Sequence, residues 1–290
     1  MENEVHSPTF DTRERFAFGG NWKRFLSVLD DQRIATAETS LKKMLGVDNL
    51  RGKRFLDAGS GSGLFSLCAR RLGATVHSFD YDPQSVACTK ELRNRYFSGD
   101  DNWMVEEASV LDLDYLKKLG EFDVVYSWGV LHHTGAMFQA LENITKPVAP
   151  RGKLLVAIYN DQGWLSRYWK QIKLTYVRHR SLRWPLLLFL APYLLGARWL
   201  VRTATGRRKV ERGMALWHDM VDWVGGYPFE VAKPEAILHF YRDRGFLLYE
   251  MSTCAGRHGC NEFVFGRQQI PLLDTAIGNG SQPPAKTGIG

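Results

Sequence analysis

The chain has 290 residues, of which 44% are hydrophobic and 24% charged, with a formal net charge of +7. This is enough for one large domain or one domain plus an insertion, and it excludes a disordered or fibrous chain. Residues 1–11 are polar and acidic with no apolar core, so no secretory signal is expected. Four cysteines (Cys68, Cys88, Cys254, Cys260) are too few for a disulfide framework. A reducing, cytoplasmic setting is therefore expected.

In chain order, residues 1–12 read as disordered. Residues 13–46 follow with Phe16, Phe18, Trp22, Phe25, Leu26, Ile34, Ala37, Leu41 and Leu45 mostly at helical intervals. They predict about two helices, broken at the Gly19-Gly20 pair, which has the character of a hinge. Residues 54–57 form a short apolar strand ending in Asp57. Gly59, Gly61 and Gly63 then alternate with Ser60 and Ser62, and 64–72 has helical periodicity. A second strand spans 75–79, and Asp80 falls 19 residues after Gly61.

Three glycines in that position let the backbone turn sharply and approach a ligand closely. The exposed N–H groups of the next helix converge on the same point. A carboxylate about 20 residues on, at the neighbouring strand tip, suits a ribose diol. An adenosine-type ligand lying across two adjacent strand ends follows. The dinucleotide fingerprint G-x-G-x-x-G is not met, because the sixth position is Leu64 or Ser66 depending on the start. The pattern is instead D-x-G-x-G-x-G. Asp57 inside such a site would repel a pyrophosphate and suits the ammonium and sulfonium of S-adenosylmethionine.

On these residues the chain resembles the class I S-adenosylmethionine-dependent methyltransferases, and most of all the branch containing the polyprenyl-benzoquinol methylases of ubiquinone biosynthesis. The resemblance implies an α/β Rossmann-like fold. Its doubly wound, mostly parallel seven-stranded sheet would carry an antiparallel last strand, with a helical lid ahead of it. It also implies lid helices, with Trp22 a candidate lid residue and a packed aromatic the preferred alternative, and that an aspartate after the third strand binds adenine. Here that position is Ser109, with Asp112 three residues on. Asp57, Gly59, Ser60, Gly61, Gly63, Asp80, Tyr81, Ser109, Ser127 and Trp128 are the expected cofactor contacts.

Pro83 opens the next helix with Asp82 as cap, and its body is 85–96. A third strand covers 103–108. The fourth, 122–128, is apolar on both faces, as a parallel strand is. Its tip, Ser127-Trp128-Gly129, is expected beside the transferable methyl. Asn-Pro-Pro-Tyr, common there in enzymes that methylate amide or nucleobase nitrogens, is absent. A helix over 137–148, a turn at 150–152 and a fifth strand over 153–159 continue the alternation.

The alternation stops at 161–227, an insertion expected to wall the acceptor pocket. It resumes with a helix over 234–244 and strands at 246–252 and 262–267. Residues 268–290 read as a flexible tail. The division is thus 1–46 (lid), 47–160 (cofactor-binding core), 161–230 (basic and apolar helical insertion), 231–267 (end of the core) and 268–290 (tail).

Residues 162–213 hold twelve Lys or Arg against one acid, Glu211, so the basic excess belongs to this segment. Within it, 184–197 carries no charge. That run is too short to span a bilayer of ~30 Å. Flanking cations and tryptophans suit peripheral contact with an anionic membrane through 164–209. A core helix pair with a basic rim and a nucleic-acid dock are the alternatives.

Methyl transfer to a hydroxyl needs a base. His133 and His132, just after the fourth strand, and His218, four residues before Asp222, are the candidates. Cys254, His258 and Cys260 lack a fourth partner at metal-like spacing, so no metal is expected. The expected reaction is methyl transfer to an oxygen or carbon of a small-molecule or lipid-like acceptor. An RNA or protein methyltransferase and a non-catalytic S-adenosylmethionine-binding module are the competing readings.

Overall fold

The computed structural model describes residues 16, 18–196, 216–256 and 259–267. Strands β1 (Arg54–Ala58), β2 (Thr75–Asp80), β3 (Trp103–Glu107), β4 (Phe122–Trp128), β5 (Val148–Tyr159), β6 (Phe246–Ser252) and β7 (Cys260–Arg267) form one sheet. Its order is β3-β2-β1-β4-β5-β7-β6. Strands β1 to β5 pair in parallel, and β7 runs antiparallel between β5 and β6. The order reverses between β1 and β4, so the loops leaving those two tips diverge and open a crevice.

Both sheet faces are covered. On one lie α2 (Asp31–Leu45), α3 (Leu64–Arg71) and α4 (Pro83–Tyr96), through Ile34, Leu41, Leu67, Val86 and Leu92. On the other lie α5 (Leu113–Lys118), α6 (Met137–Asn143) and α10 (Pro234–Arg242), through Leu116, Leu141, Ile237 and Tyr241. The insertion builds a third apolar cluster from α7 (Trp164–Arg178), α8 (Arg183–Ala191) and α9 (Leu216–Gly225). Trp169, Tyr176, Leu187, Leu190, Met220 and Val224 are its buried members. Among the described residues of 161–227 there is no strand, as the lost alternation predicts.

Local chemistry sets the boundaries. Asp30 caps α2 by accepting from Arg33 N, and Gly46 ends it in the left-handed region. Asp82 accepts from Gln84 N with Pro83 in the first turn of α4. Three expectations need correction. The Gly19-Gly20 pair is not a break between helices; it opens α1 (Gly19–Ser27), because a side chain at Gly19 would meet Gln84 Cβ at 2.3 Å. The helix expected over 137–148 ends at Asn143, since Pro147 cannot continue it, and β5 starts five residues earlier than expected. A short helix, α5, stands between β3 and β4 where none was expected; a parallel crossover needs it, and Asp112 caps it. The tail 268–290, the polar start 1–12 and His258 lie outside the described residues.

Candidate functional site

Asp57 is the fourth residue of β1, paired in parallel with Ser78 of β2 and Tyr126 of β4. Its side chain is buried and accepts a 2.5 Å hydrogen bond from Ser66 Oγ of α3. Burial pushes the carboxyl up to about 7, opposed by the Ser66 hydroxyl and reinforced by the negative charge of Asp80.

The turn beyond β1 depends on its glycines. Gly59, Gly61 and Gly63 all have φ between 55° and 82°. A Cβ at Gly59 would lie 2.4 Å from Val130, and one at Gly63 2.9 Å from Thr89 Cα. Close packing therefore excludes side chains at both, independently of any ligand. At Gly61 the neighbour is the Trp22 indole, whose Nε1 would stand 3.0 Å from an added Cβ. Trp22 thus lies over the glycine turn, and it packs against the core cluster on that face of the sheet as well.

Asp80 ends β2 and closes the turn. Its Oδ2 accepts from Gly61 N at 2.9 Å and its Oδ1 from Asp82 N at 2.9 Å. Asp82 in turn accepts from Gly19 N at 2.8 Å, which anchors the start of α1 to the same acidic tip. Tyr81 is exposed beside it. Ser109 Oγ accepts from Leu111 N, and Asp112 caps α5, so both side chains serve the β3–α5 loop. Ser60 pairs with Thr89 at 2.9 Å, behind the turn.

At the β4 tip, Ser127 is buried and donates to Ala58 O at 2.9 Å, holding β1 and β4 together. Trp128 donates to Glu262 Oε1 of β7 at 3.3 Å. The chain then enters a short 3-10 turn, Leu131–His133. His133 Nδ1 lies 2.6 Å from Pro228 O. A carbonyl only accepts, so Nδ1 carries the proton and the basic lone pair of the neutral ring sits on Nε2. The ring also stacks obliquely against Phe18, centroids 5.0 Å apart. His132 is completely enclosed, packed on Tyr159 at 3.9 Å and on His133 at 4.4 Å. Burial, then the nearby His133 and Lys173, hold it well below the usual imidazole range.

Behind this pair, Lys173 of α7 is fully buried and donates to Trp223 O. Its ammonium faces the rings of Trp223, Phe229 and Tyr159 at 4.3, 4.7 and 5.7 Å. Glu230 accepts from Met137 N at 3.1 Å while Glu230 N donates to His132 O, and burial pushes its carboxyl up. Phe16 N donates to Tyr227 O at 2.9 Å. The segment before α1, the end of the insertion and the β4–α6 connection therefore meet around the histidine pair. His218 lies on α9, but its side chain and that of Asp222 fall outside the described residues. Tyr159, Glu230 and Lys173 were not expected here. For Tyr159 the available signal was its position at the end of β5, next to β4.

The arrangement has a buried carboxylate, a glycine turn and a second carboxylate on the same strand ends, beneath an indole. A family model described as a methyltransferase domain matches residues 29–192. The chain belongs to that family. It is a class I S-adenosylmethionine-dependent methyltransferase domain, and the residues present fit that cofactor: Asp57 is a buried acid raised by burial, which a cationic methionine head would favour in its ionised form. Over 119 residues the methyltransferase chain is 33% identical to the tRNA U34 carboxymethyltransferase of Methylococcus capsulatus, covering 41% of this chain and 36% of that one. Over 71 residues it is 37% identical to the ribosomal protein L11 methyltransferase of the same organism, covering 24% of each. The chain thus spans about a third or less of the length of these curated relatives. Magnesium protoporphyrin IX methyltransferase from Synechocystis PCC 6803, solved with bound S-adenosylmethionine, superposes with a TM-score of 0.52 at 13% identity. That match covers 86% of this chain and 90% of that one, and it establishes the fold. Among the described residues no group of His, Cys, Asp and Glu is arranged to hold a metal ion.

Proposed function

We propose that the protein transfers a methyl group from S-adenosylmethionine to an oxygen (or carbon) of a small-molecule or lipid-like acceptor, in the manner of the polyprenyl-benzoquinol methylase branch. The observation that carries the reading is the D-x-G-x-G-x-G turn braced by Asp80 through Gly61 N and roofed by Trp22. On this reading residues 1–46 are the lid, 47–160 with 231–267 the cofactor-binding core, 161–230 the acceptor wall and 268–290 a tail.

The cofactor supplies a methyl on an already activated leaving group, so the protein's part is alignment, exclusion of water and removal of one proton. Asp57 meets the ammonium directly or through water, the glycine turn admits the methionine part, and Asp80 takes the ribose hydroxyls. Tyr81 packs on the adenine, with the Ser109 loop offering backbone groups to its edge. Trp128 lines the methyl side, while Ser127 and Ser60 hold the backbone that forms the site. His133 is preferred over His132 as base, because its Nδ1–H is fixed by Pro228 O whereas His132 is sealed in the core. His218 is the second candidate.

The basic insertion also fits a second reading, methylation of RNA or protein with the insertion as dock; the tRNA-acting relative favours it. A third is binding of the cofactor without turnover. Titration calorimetry with S-adenosylmethionine, followed by mass spectrometry of cell extract for compounds gaining one methylene, separates the three. Binding with a methylated metabolite or lipid supports the proposal, methylated RNA or protein supports the second reading, and binding without any product the third. In the same assay His133→Ala should lower turnover by about 10²–10⁴-fold with little change in cofactor affinity; unchanged turnover removes it as the base.

A further inference from the structure

In α8 the inward residues Leu187 and Leu190 pack into the insertion's own apolar cluster. The opposite side is also apolar. Trp184, Leu188 and Phe189 are 66%, 68% and 76% exposed, and Pro185 and Pro192 are exposed with them. Those positions follow the helical repeat and make one stripe. Single exposed apolar residues are ordinary; a contiguous stripe with two large aromatics indicates something that covers it.

Charge identifies the cover. Arg178 and Arg180 are exposed immediately before α8, and the sequence beyond it carries Arg198, Arg202, Arg207, Arg208 and Lys209. An identical copy would bring the same cations face to face. An RNA would pair with the cations and leave the stripe in water. An anionic bilayer satisfies both sets of groups, with arginines among the headgroups and Trp184, Leu188 and Phe189 below them. Nine residues of helix are about 14 Å long. Among the described residues no helix is long and apolar enough to cross a membrane, so α8 lies in the plane of the surface.

We propose that the outer face of α8 is a docking surface for an anionic lipid bilayer. Only the consequence that a lipid-borne acceptor reaches the strand tips rests on the methyl-transfer reading; docking itself does not. The test is co-sedimentation of the full-length chain with vesicles of phosphatidylglycerol and phosphatidylcholine, compared with phosphatidylcholine alone. The wild type should pellet with the anionic vesicles. Leu188→Glu combined with Phe189→Glu, both at exposed positions, should reduce that partition at least about tenfold with an unchanged far-ultraviolet circular dichroism spectrum. Calorimetric affinity for S-adenosylmethionine should be equal in the two proteins. Failure of the wild type to pellet, or equal pelleting of the variant, overturns the proposal. So does a wild-type dimer that the same substitutions dissociate without vesicles. Absence of cofactor binding would remove the methyl-transfer reading and leave the docking to the vesicle result.

Discussion

At Asp57, burial and the Asp80 charge raise the carboxyl against the hydrogen bonds of Ser66. In the unfolded chain the carboxyl ionises near 3.8, and in the folded protein near 7. The folded state therefore holds a proton that the unfolded state has lost between those values. Stability contributed by this group falls as pH rises through that window, by on the order of 4 kcal/mol in all. Asp57→Asn should abolish that part of the pH dependence of chemical denaturation. On the proposed reading, the same ionisation would set cofactor affinity. A cationic ligand prefers the ionised carboxylate, so affinity for S-adenosylmethionine should decline as pH falls below about 7, and binding at pH 6 should release a proton. Calorimetry in buffers of different ionisation enthalpy measures that release, and none should be seen with Asp57→Asn. At Asp80 the two carboxylate oxygens already brace the turn through Gly61 N and Asp82 N. Asp80→Ala should weaken cofactor binding by about 1–3 kcal/mol; calorimetry giving wild-type affinity would remove its ribose role.

At the scale of elements, Phe25 and Leu26 seat α1 in the core and Arg95 donates to Leu26 O, while its first residue is set by backbone contacts and close packing. Gly19 N reaches Asp82, and there is no room for a Cβ between Gly19 and Gln84. Gly19→Val should lift the start of α1, withdraw Trp22 from the glycine turn and speed cofactor release. Stopped-flow dissociation and trypsin cleavage within 16–30 report the two effects together; unchanged rates in both would mean that Trp22 does not cover the site. The elements legible in the sequence were those with a strong local signature. The strands β1 and β4 are apolar on both faces, α4 has Asp82-Pro83 at its start, and the D-x-G-x-G-x-G turn stands out by glycine spacing. α5 is six residues long with Leu116 as its buried residue, too little for periodicity to register. The end of α6 was misread because Ile144 continues the apolar pattern into a turn that leads to Pro147. In the site, Asp57 and Asp80 were readable because they are adjacent to the turn in sequence or at a fixed spacing. Lys173, Tyr159 and Glu230 were not, since only tertiary packing brings α7, β5 and the segment after α9 together. The apolar run at 184–197 was legible as apolar but not as two-sided: Leu187 and Leu190 face the insertion's cluster while Leu188 and Phe189 face outward.

At the scale of the whole molecule, the sheet carries one apolar cluster on each face and the insertion carries a third. The insertion is tied to the rest of the molecule by polar bonds, with Met137 N donating to Glu230, Glu230 N to His132 O and Phe16 N to Tyr227 O. The last of these ties the lead into α1 to a residue 211 positions later in the chain. On the proposed reading, cofactor entry beneath Trp22 and acceptor access to the histidine pair would share this strap. Occupancy of the acceptor side should keep that strap fastened, which imposes a compulsory sequence: cofactor first on, spent cofactor last off. Steady-state inhibition by S-adenosylhomocysteine should then be competitive against S-adenosylmethionine and noncompetitive against the acceptor, a pattern that random addition does not require once the acceptor is saturating.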